Sequence, residues 1–464
     1  MTPVYVPLVV LLITAFLTPL IGIRFKLFRR ALVVSAFFFS FFFWISLLPT
    51  VFSGKILTYN MNLWPPPFGI TLVLDSLSLF ILVVVSGLGL AIVSVVENFI
   101  KERRSEFYSL FLLMHVGMTG ILITGDLFNL FVFTEIMVIS SYGLAIFERS
   151  KKALEAGIKY LVVGAFATSL ILLGIGLTYG MTGTLNMADL MSKISLAKAF
   201  VPLSLILAGY LTEIGIVPFH FWKPDVIEGV NLPLAAMIAS VSTTVGCYAI
   251  LRVLFVFGFP HAPLIALGTI SMVVGAFMAL IQSNIKRMLA YSSVSQMGYI
   301  LFAFGLGSYG FLGGIFHLLN NALLKMVMFL IVGSVEEEQV NMPVTGACFL
   351  IASLGIAGVP PLNGFVSKFL IYDAGIRSGF LIPTVVAIVI SVITLAYYLR
   401  AFRRMFSNSG RRVKEKRDFL VPILVLTSFC IFLGVFSFVA IQALRPVVGS
   451  LLARSAYSCA VFGC

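Results

Sequence analysis

Apolar runs of about 20 residues, the length that crosses a bilayer's hydrocarbon core, recur along the whole chain with short polar interruptions. They predict about fourteen membrane-spanning helices, at 4–23, 31–52, 72–96, 107–124, 127–147, 157–181, 199–221, 231–257, 263–283, 290–306, 309–334, 344–373, 381–404 and 419–442. Between the second and third runs, residues 55–69 hold Trp64 and Pro65-Pro66-Pro67. Consecutive prolines forbid a helix there, so an extended or hairpin-like segment is expected.

Two runs are interrupted at corresponding places. The seventh contains Gly215-Ile216-Val217-Pro218 and the twelfth Gly358-Val359-Pro360-Pro361-Leu362-Asn363-Gly364. Proline removes a backbone donor and frees carbonyls, which at membrane depth is tolerated only where protein or water satisfies them. Paired breaks therefore point to an internal repeat with sites at the broken helices and a hydrated interior.

Composition agrees with a bilayer as solvent. Hydrophobic residues make up 60% of the 464 positions and charged ones 11%, and mean hydropathy is +1.10; soluble domains are nearer half apolar and a quarter charged. The net charge of +13 sits in short loops, a topogenic pattern that excludes a nucleic-acid footprint. Arg24–Arg30, Lys101–Arg104, Arg149–Lys159, Lys286–Arg287 and Arg400–Arg417 fall in alternate loops, which places these at the cytoplasm and both termini outside. The first run has no basic segment before it and is followed by Arg24, so it is expected to remain as a span and not to be cleaved. Cys247, Cys348, Cys430, Cys459 and Cys464 show no metal-ligand spacing, so no metal site is expected. Pairing of Cys459 with Cys464 is the weaker of the two readings of that tail. No P-loop, dinucleotide fingerprint or nucleophile elbow is present. No cofactor or catalytic site is therefore expected within the chain, and energy would come from an ion gradient or a partner.

Ionisable residues inside spans are the strongest chemical signal, because a charge at the bilayer centre costs roughly 2.5–3.5 kcal/mol on the insertion scale. Glu135, Glu213, Lys325 and Lys368 qualify. Glu135 lies mid-span without a basic neighbour at helical spacing and needs a partner from another helix. Glu213 precedes the first break and suits proton or cation binding. His317, Asn321 and Lys325 recur at four-residue intervals and share a helix face, which reads as a proton or water path. Lys368 follows the second break by two turns and suits a terminal relay. The bland alternative makes these charges buried ion pairs that only hold helices together. Asp75 and Asp126 at span ends, and His220, Trp222 and Lys223 after the first break, read as interfacial residues.

Five segments together carry a family resemblance: Gly125–Asn129 with Glu135, Gly157–Tyr160 with Gly183-Thr184-Leu185, Val217–Asp225, Ile285–Gly298, and Pro360–Lys368. Over residues 70–405 the chain resembles the proton-translocating membrane subunits of respiratory complex I, Mrp-type sodium/proton antiporters (their D-type subunits), membrane-bound hydrogenases and sulfane reductases. The resemblance implies an all-α polytopic fold of fourteen helices with two inverted five-helix repeats, helices 4–8 and 9–13, and a central hydrophilic axis. It matches Glu135 to the family's fifth-helix glutamate, and Lys325 and Lys368 to the lysines of helices eleven and twelve. Two positions depart from it. Glu213 stands where a seventh-helix lysine is expected, and Thr244 where the eighth-helix relay lysine is expected. Glu135 and Glu213 would then form a carboxylate pair that shares a proton or binds a cation such as sodium.

The expected organisation is residues 1–106 as N-terminal helices with an extracytoplasmic segment, 107–257 and 258–405 as the two repeats, and 406–464 as a basic loop, a last helix and a tail. The expected function is H+ or Na+ translocation within a multisubunit complex of a bacterial or archaeal cell membrane. Its partners would be other membrane subunits, homologous antiporter-like ones included, and iron–sulfur redox subunits if the complex is a hydrogenase or sulfur reductase. A subunit of a stand-alone Mrp antiporter and a scaffold that no longer translocates are the alternatives.

Overall fold

A computed structural model of the protein describes residues 3–22, 26–100, 102–335, 339–407 and 410–463. Arg24 and Lys101 of the basic loops, and Cys464 of the proposed cysteine pair, lie outside them.

The fold is almost wholly helical. In chain order the helices are α1 (Val6–Gly22), α2 (Lys26–Phe52), α3 (Ser76–Val95), α4 (Arg104–Ile123), α5 (Leu127–Ala145), α6 (Lys151–Thr182), α7 (Met187–Lys193), α8 (Phe200–Ile214), α9 (Trp222–Gly229) and α10 (Leu232–Ala236). They continue as α11 (Thr243–Phe257), α12 (His261–Ile281), α13 (Ile285–Gly305), α14 (Ser308–Ser334), α15 (Pro343–Ala357), α16 (Asn363–Arg377), α17 (Leu381–Met405), α18 (Arg417–Val435), α19 (Ser437–Leu452) and α20 (Arg454–Phe462). A π-helical turn, Met237–Ser242, joins α10 to α11. Among the described residues, ten helical segments are long and apolar enough to cross a membrane, and Val6–Leu20, Phe200–Ile214, Pro343–Ala357 and Ser437–Leu452 are shorter apolar helices.

Several expected boundaries shift for local reasons. The run expected at 72–96 begins as a strand, because Thr71–Leu74 pairs antiparallel with Leu57–Asn60 in a hairpin that flanks the proline run. Asp75 then caps α3 by accepting from the Ser78 amide at 2.9 Å. The run expected at 419–442 stops at Val435 and is followed by α19 and α20. The twelfth run is cut in two, α15 from α16, at its glycine–proline segment, whereas the seventh ends as a helix at Ile214, before its own glycine–proline segment, and α9 begins beyond that run at Trp222.

The chain divides into two compact units: residues 1–214, 242–259 and 446–464 form the first, and 215–241 with 260–445 the second. In the first, α4 packs on α1 and α5, and α6 on α8. In the second, α12 and α13 pack along their length. A β-carbon on Gly268 or Gly275 of α12, or on Gly298 of α13, would stand 2.5 Å from a backbone nitrogen of the facing helix. Small residues let the backbones of membrane helices approach this closely. α13 itself is too polar to count among the long apolar spans, yet every residue from Met288 to Gly305 is buried. Its polar side chains serve the interior of the second unit.

Candidate functional site

In the first unit, Glu213 is buried near the end of α8, and the Tyr160 hydroxyl donates to its Oε1 at 3.5 Å. Tyr142 packs edge-on against Tyr160, with ring centroids 4.9 Å apart, and stands within electrostatic reach of both Glu213 and Glu135. The two carboxylates picked out from the sequence therefore share a tyrosine neighbourhood. Glu135 is half-buried in an open groove of about 590 Å³, lined by Ile139, Tyr142, Ile158 and Leu161 among others. Thr244 is buried in α11. Its hydroxyl cannot carry the charge that a relay lysine would.

A deeply buried ion pair of this unit escaped the sequence reading. Arg252 Nη2 donates to Asp75 Oδ2 at 2.8 Å, and both side chains are 2% exposed. The same nitrogen reaches Ser78 Oγ at 3.1 Å, Arg252 Nε donates to the Tyr248 hydroxyl at 3.2 Å, and Tyr248 donates to the Leu122 carbonyl at 2.9 Å. The guanidinium also lies over the rings of Tyr248, Phe255 and Tyr457. Asp75 is thus not a hydrated residue at the end of a span. Its carboxylate neutralises an arginine whose only forewarning was its place in the apolar run Ala249–Phe257. Asp126 does sit at a helix end, where it caps α5 through the Asn129 amide at 2.8 Å.

The second unit gathers His317, Asn321, Lys325 and Lys368. Lys325 Nζ donates to the Leu289 carbonyl at 2.9 Å and to the Tyr398 hydroxyl at 3.1 Å. Tyr398 and Ser292 share a hydrogen bond of 2.7 Å, and Tyr397 donates to Ser292 at 3.0 Å. His317 bridges two helices, with Nε2 3.1 Å from Gln296 Oε1 and Nδ1 3.0 Å from Ser367 Oγ. Tyr299 stacks obliquely on His317, centroids 5.6 Å apart, and Lys368 Nζ lies 4.5 Å from the Tyr299 ring centre. Lys368 donates to Ser391 Oγ at 3.0 Å and to the Ala357 carbonyl at 3.3 Å, where the C-terminal end of α15 favours a cation.

Two facing stripes order these groups. Ser292, Gln296 and Tyr299 recur on α13 at helical spacing, opposite His317, Asn321 and Lys325 on α14. Neither atom of the buried Asn321 amide has a protein partner among the described residues. Buried amides are rarely left so, and a polar site of this kind is where internal water binds. Sequence reading found the α14 stripe but assigned no role to Ser292, Gln296 or Tyr299, whose spacing on α13 was the available signal.

His220, Trp222 and Lys223 do not form an interfacial cluster. Trp222 and Lys223 are buried, and only His220 is partly exposed. The far end of α9 is held to the start of α13 by Arg287, whose Nη1 donates to Asp225 at 2.6 Å and Glu228 at 3.2 Å. No group of His, Cys, Asp or Glu among the described residues is arranged to hold a metal ion.

A polytopic helical chain with buried lysines, a histidine and carboxylates on interior faces has the build of an antiporter-like membrane subunit. Residues 124–394 match the family described as NADH:quinone oxidoreductase/Mrp antiporter, transmembrane, and the chain belongs to that family. It is 33% identical to NADH-quinone oxidoreductase subunit N of Desulforudis audaxviator, over 85% of this chain and 87% of that one. It is 31% identical to the D subunit of the Na(+)/H(+) antiporter of Alkalihalophilus pseudofirmus, over 84% and 85%. A chain of the membrane-bound sulfane sulfur reductase, an archaeal respiratory membrane complex, superposes with a TM-score of 0.94 at 31% identity over 99% of each chain.

Proposed function

We propose that this chain moves H+ or Na+ across a bacterial or archaeal cell membrane as the antiporter-like subunit of a redox-driven complex, a membrane-bound hydrogenase or a related sulfur-reducing complex. The observation that carries ion transport is the buried polar series of the second unit: Lys325 with Tyr398 and Ser292, then Gln296 with His317, and Tyr299 between His317 and Lys368. A lysine buried at membrane depth is costly unless its charge is used or neutralised. Here both amines are held by carbonyls and hydroxyls. Hydroxyl, imidazole and amide groups each donate and accept, so protonation of one amine is felt along the row.

In the first unit, Glu213 is a protonation or cation site whose anionic form is supported by the Tyr160 hydroxyl. Glu135 belongs to the same arrangement through Tyr142. Cytoplasmic placement of the basic loops, with both termini outside, completes this reading. The likeness to a respiratory membrane complex along nearly the full chain favours a redox-driven assembly. The likeness to an antiporter's D subunit favours a second reading, a stand-alone sodium/proton exchanger without redox partners.

The test is flux through the purified complex in liposomes, driven by an imposed sodium or pH gradient and read with a pH-sensitive dye. Lys325→Gln and Lys368→Gln should each lower flux at least tenfold in fully assembled complex; parental flux in both would leave only a scaffold. Mass spectrometry of the subunits that purify with this chain separates the redox-driven complex, which brings iron–sulfur subunits, from the exchanger, which brings only membrane subunits.

A further inference from the structure

The two helix breaks share a detail that the sequence pattern does not show. Gly215 and Gly358 both take left-handed backbone, with φ of +74° and +87°, and a proline follows each within three residues. In each case the stem of a buried lysine lies against that glycine. A β-carbon at Gly358 would stand 2.9 Å from Lys368 Cδ, and one at Gly215 would stand 2.7 Å from Lys223 Cδ. Any larger residue would push the stem away, so both breaks are shaped around a lysine.

Lys223 is as buried as Lys368. It belongs to the same compact unit as Lys325, His317 and Lys368, because residues 215–241 pack with 260–445. It lies close enough to Lys325 for the two charges to act on each other. Two such amines do not hold protons independently: a proton on one disfavours a proton on the other, which couples their loading and release.

From this geometry we propose that Lys223 is a proton-exchanging lysine of the translocation path, the counterpart at the first break of Lys368 at the second. The inference rests on the ion-transport reading above. The step is a proton transfer alone: the ammonium gives one proton to a neighbouring water or hydroxyl, remains as the neutral amine, and regains a proton from the next donor. No other bond changes and no redox partner is needed.

Lys223→Gln removes both the charge and the exchangeable proton, whereas Lys223→Arg keeps the charge on a group that does not deprotonate. In the intact complex in liposomes, both variants should assemble to within twofold of the parent and lose at least tenfold in flux per assembled complex. Parental flux in Lys223→Gln overturns the proposal. Parental flux in Lys223→Arg reduces Lys223 to a fixed charge and overturns it too, as does failure of both variants to assemble, which marks a packing residue. Lys368→Gln in the same assay is the control: if it also keeps parental flux, the transport reading itself has failed.

Discussion

Single residues carry unequal weight here, and the ion pair of Asp75 with Arg252 shows why. Removing one partner of a buried pair leaves an uncompensated charge, at a cost of about 3–5 kcal/mol. Asp75→Asn should therefore sharply lower the unfolding temperature of the detergent-solubilised complex, while the double variant Asp75→Asn with Arg252→Gln, which buries no charge, should recover much of the loss. Additive losses in the two single variants and the double would show the pair to be energetically idle. Glu213 makes the opposite kind of prediction. Glu213→Gln preserves shape and should leave thermal stability close to parental, yet it should change flux or its sodium dependence at least fivefold. An unchanged flux and sodium dependence would remove Glu213 from the pathway. Among the candidate residues, Glu135, Glu213, His317, Asn321, Lys325 and Lys368 stand out in the sequence because each is a polar group in a long apolar run. Lys223 and Asp75 were misread as interfacial for one reason: each lies beside a break or a span end, where linear position cannot distinguish a buried side chain from a hydrated one.

At the scale of elements, the second break depends on a close approach that only glycine allows. A β-carbon at Gly364 would overlap the Gly355 carbonyl oxygen, so the start of α16 meets the end of α15 backbone to backbone. Gly364→Ala should prevent normal assembly, as judged by the yield of intact complex after gentle solubilisation. Gly176→Ala, on α6 with open space at its β-carbon, should be close to neutral. Equal yields from the two would refute the tight α15–α16 junction. The breaks themselves were readable from glycine and proline chemistry. The strand at Thr71–Leu74 was not, since four buried residues next to a long apolar run look like its first turn.

Across the whole molecule, orientation is the open prediction that charge alone makes. Cys247, Cys348 and Cys430 are buried, which leaves a quiet background for thiol labelling once Cys459 and Cys464 are replaced. A cysteine at Lys152 should react in intact cells only with a membrane-permeant maleimide, and one at Ser195 also with an impermeant reagent. The reverse pattern would invert the topology and place both termini in the cytoplasm. The groove beside Glu135 also belongs to this scale. A carboxylate half-exposed among Ile139, Ile158 and Leu161 is poorly suited to lipid, and solved relatives of this chain come from multisubunit membrane complexes.

Sequence by itself determined the solvent, the succession of spans, the two broken helices and most of the charged residues within them. These are properties of composition and of spacing along one helix, where a burial cost of a few kcal/mol per charge leaves few readings open. Tertiary structure decided which polar groups meet. It paired Asp75 with Arg252, brought Gln296 of α13 to His317 of α14 and Ser292 of α13 to Tyr398 of α17, and laid Lys223 against Gly215 as Lys368 lies against Gly358. Such contacts join residues far apart in the chain or folded back across a break, and they depend on the relative rotation and depth of helices, which packing sets and hydropathy does not record.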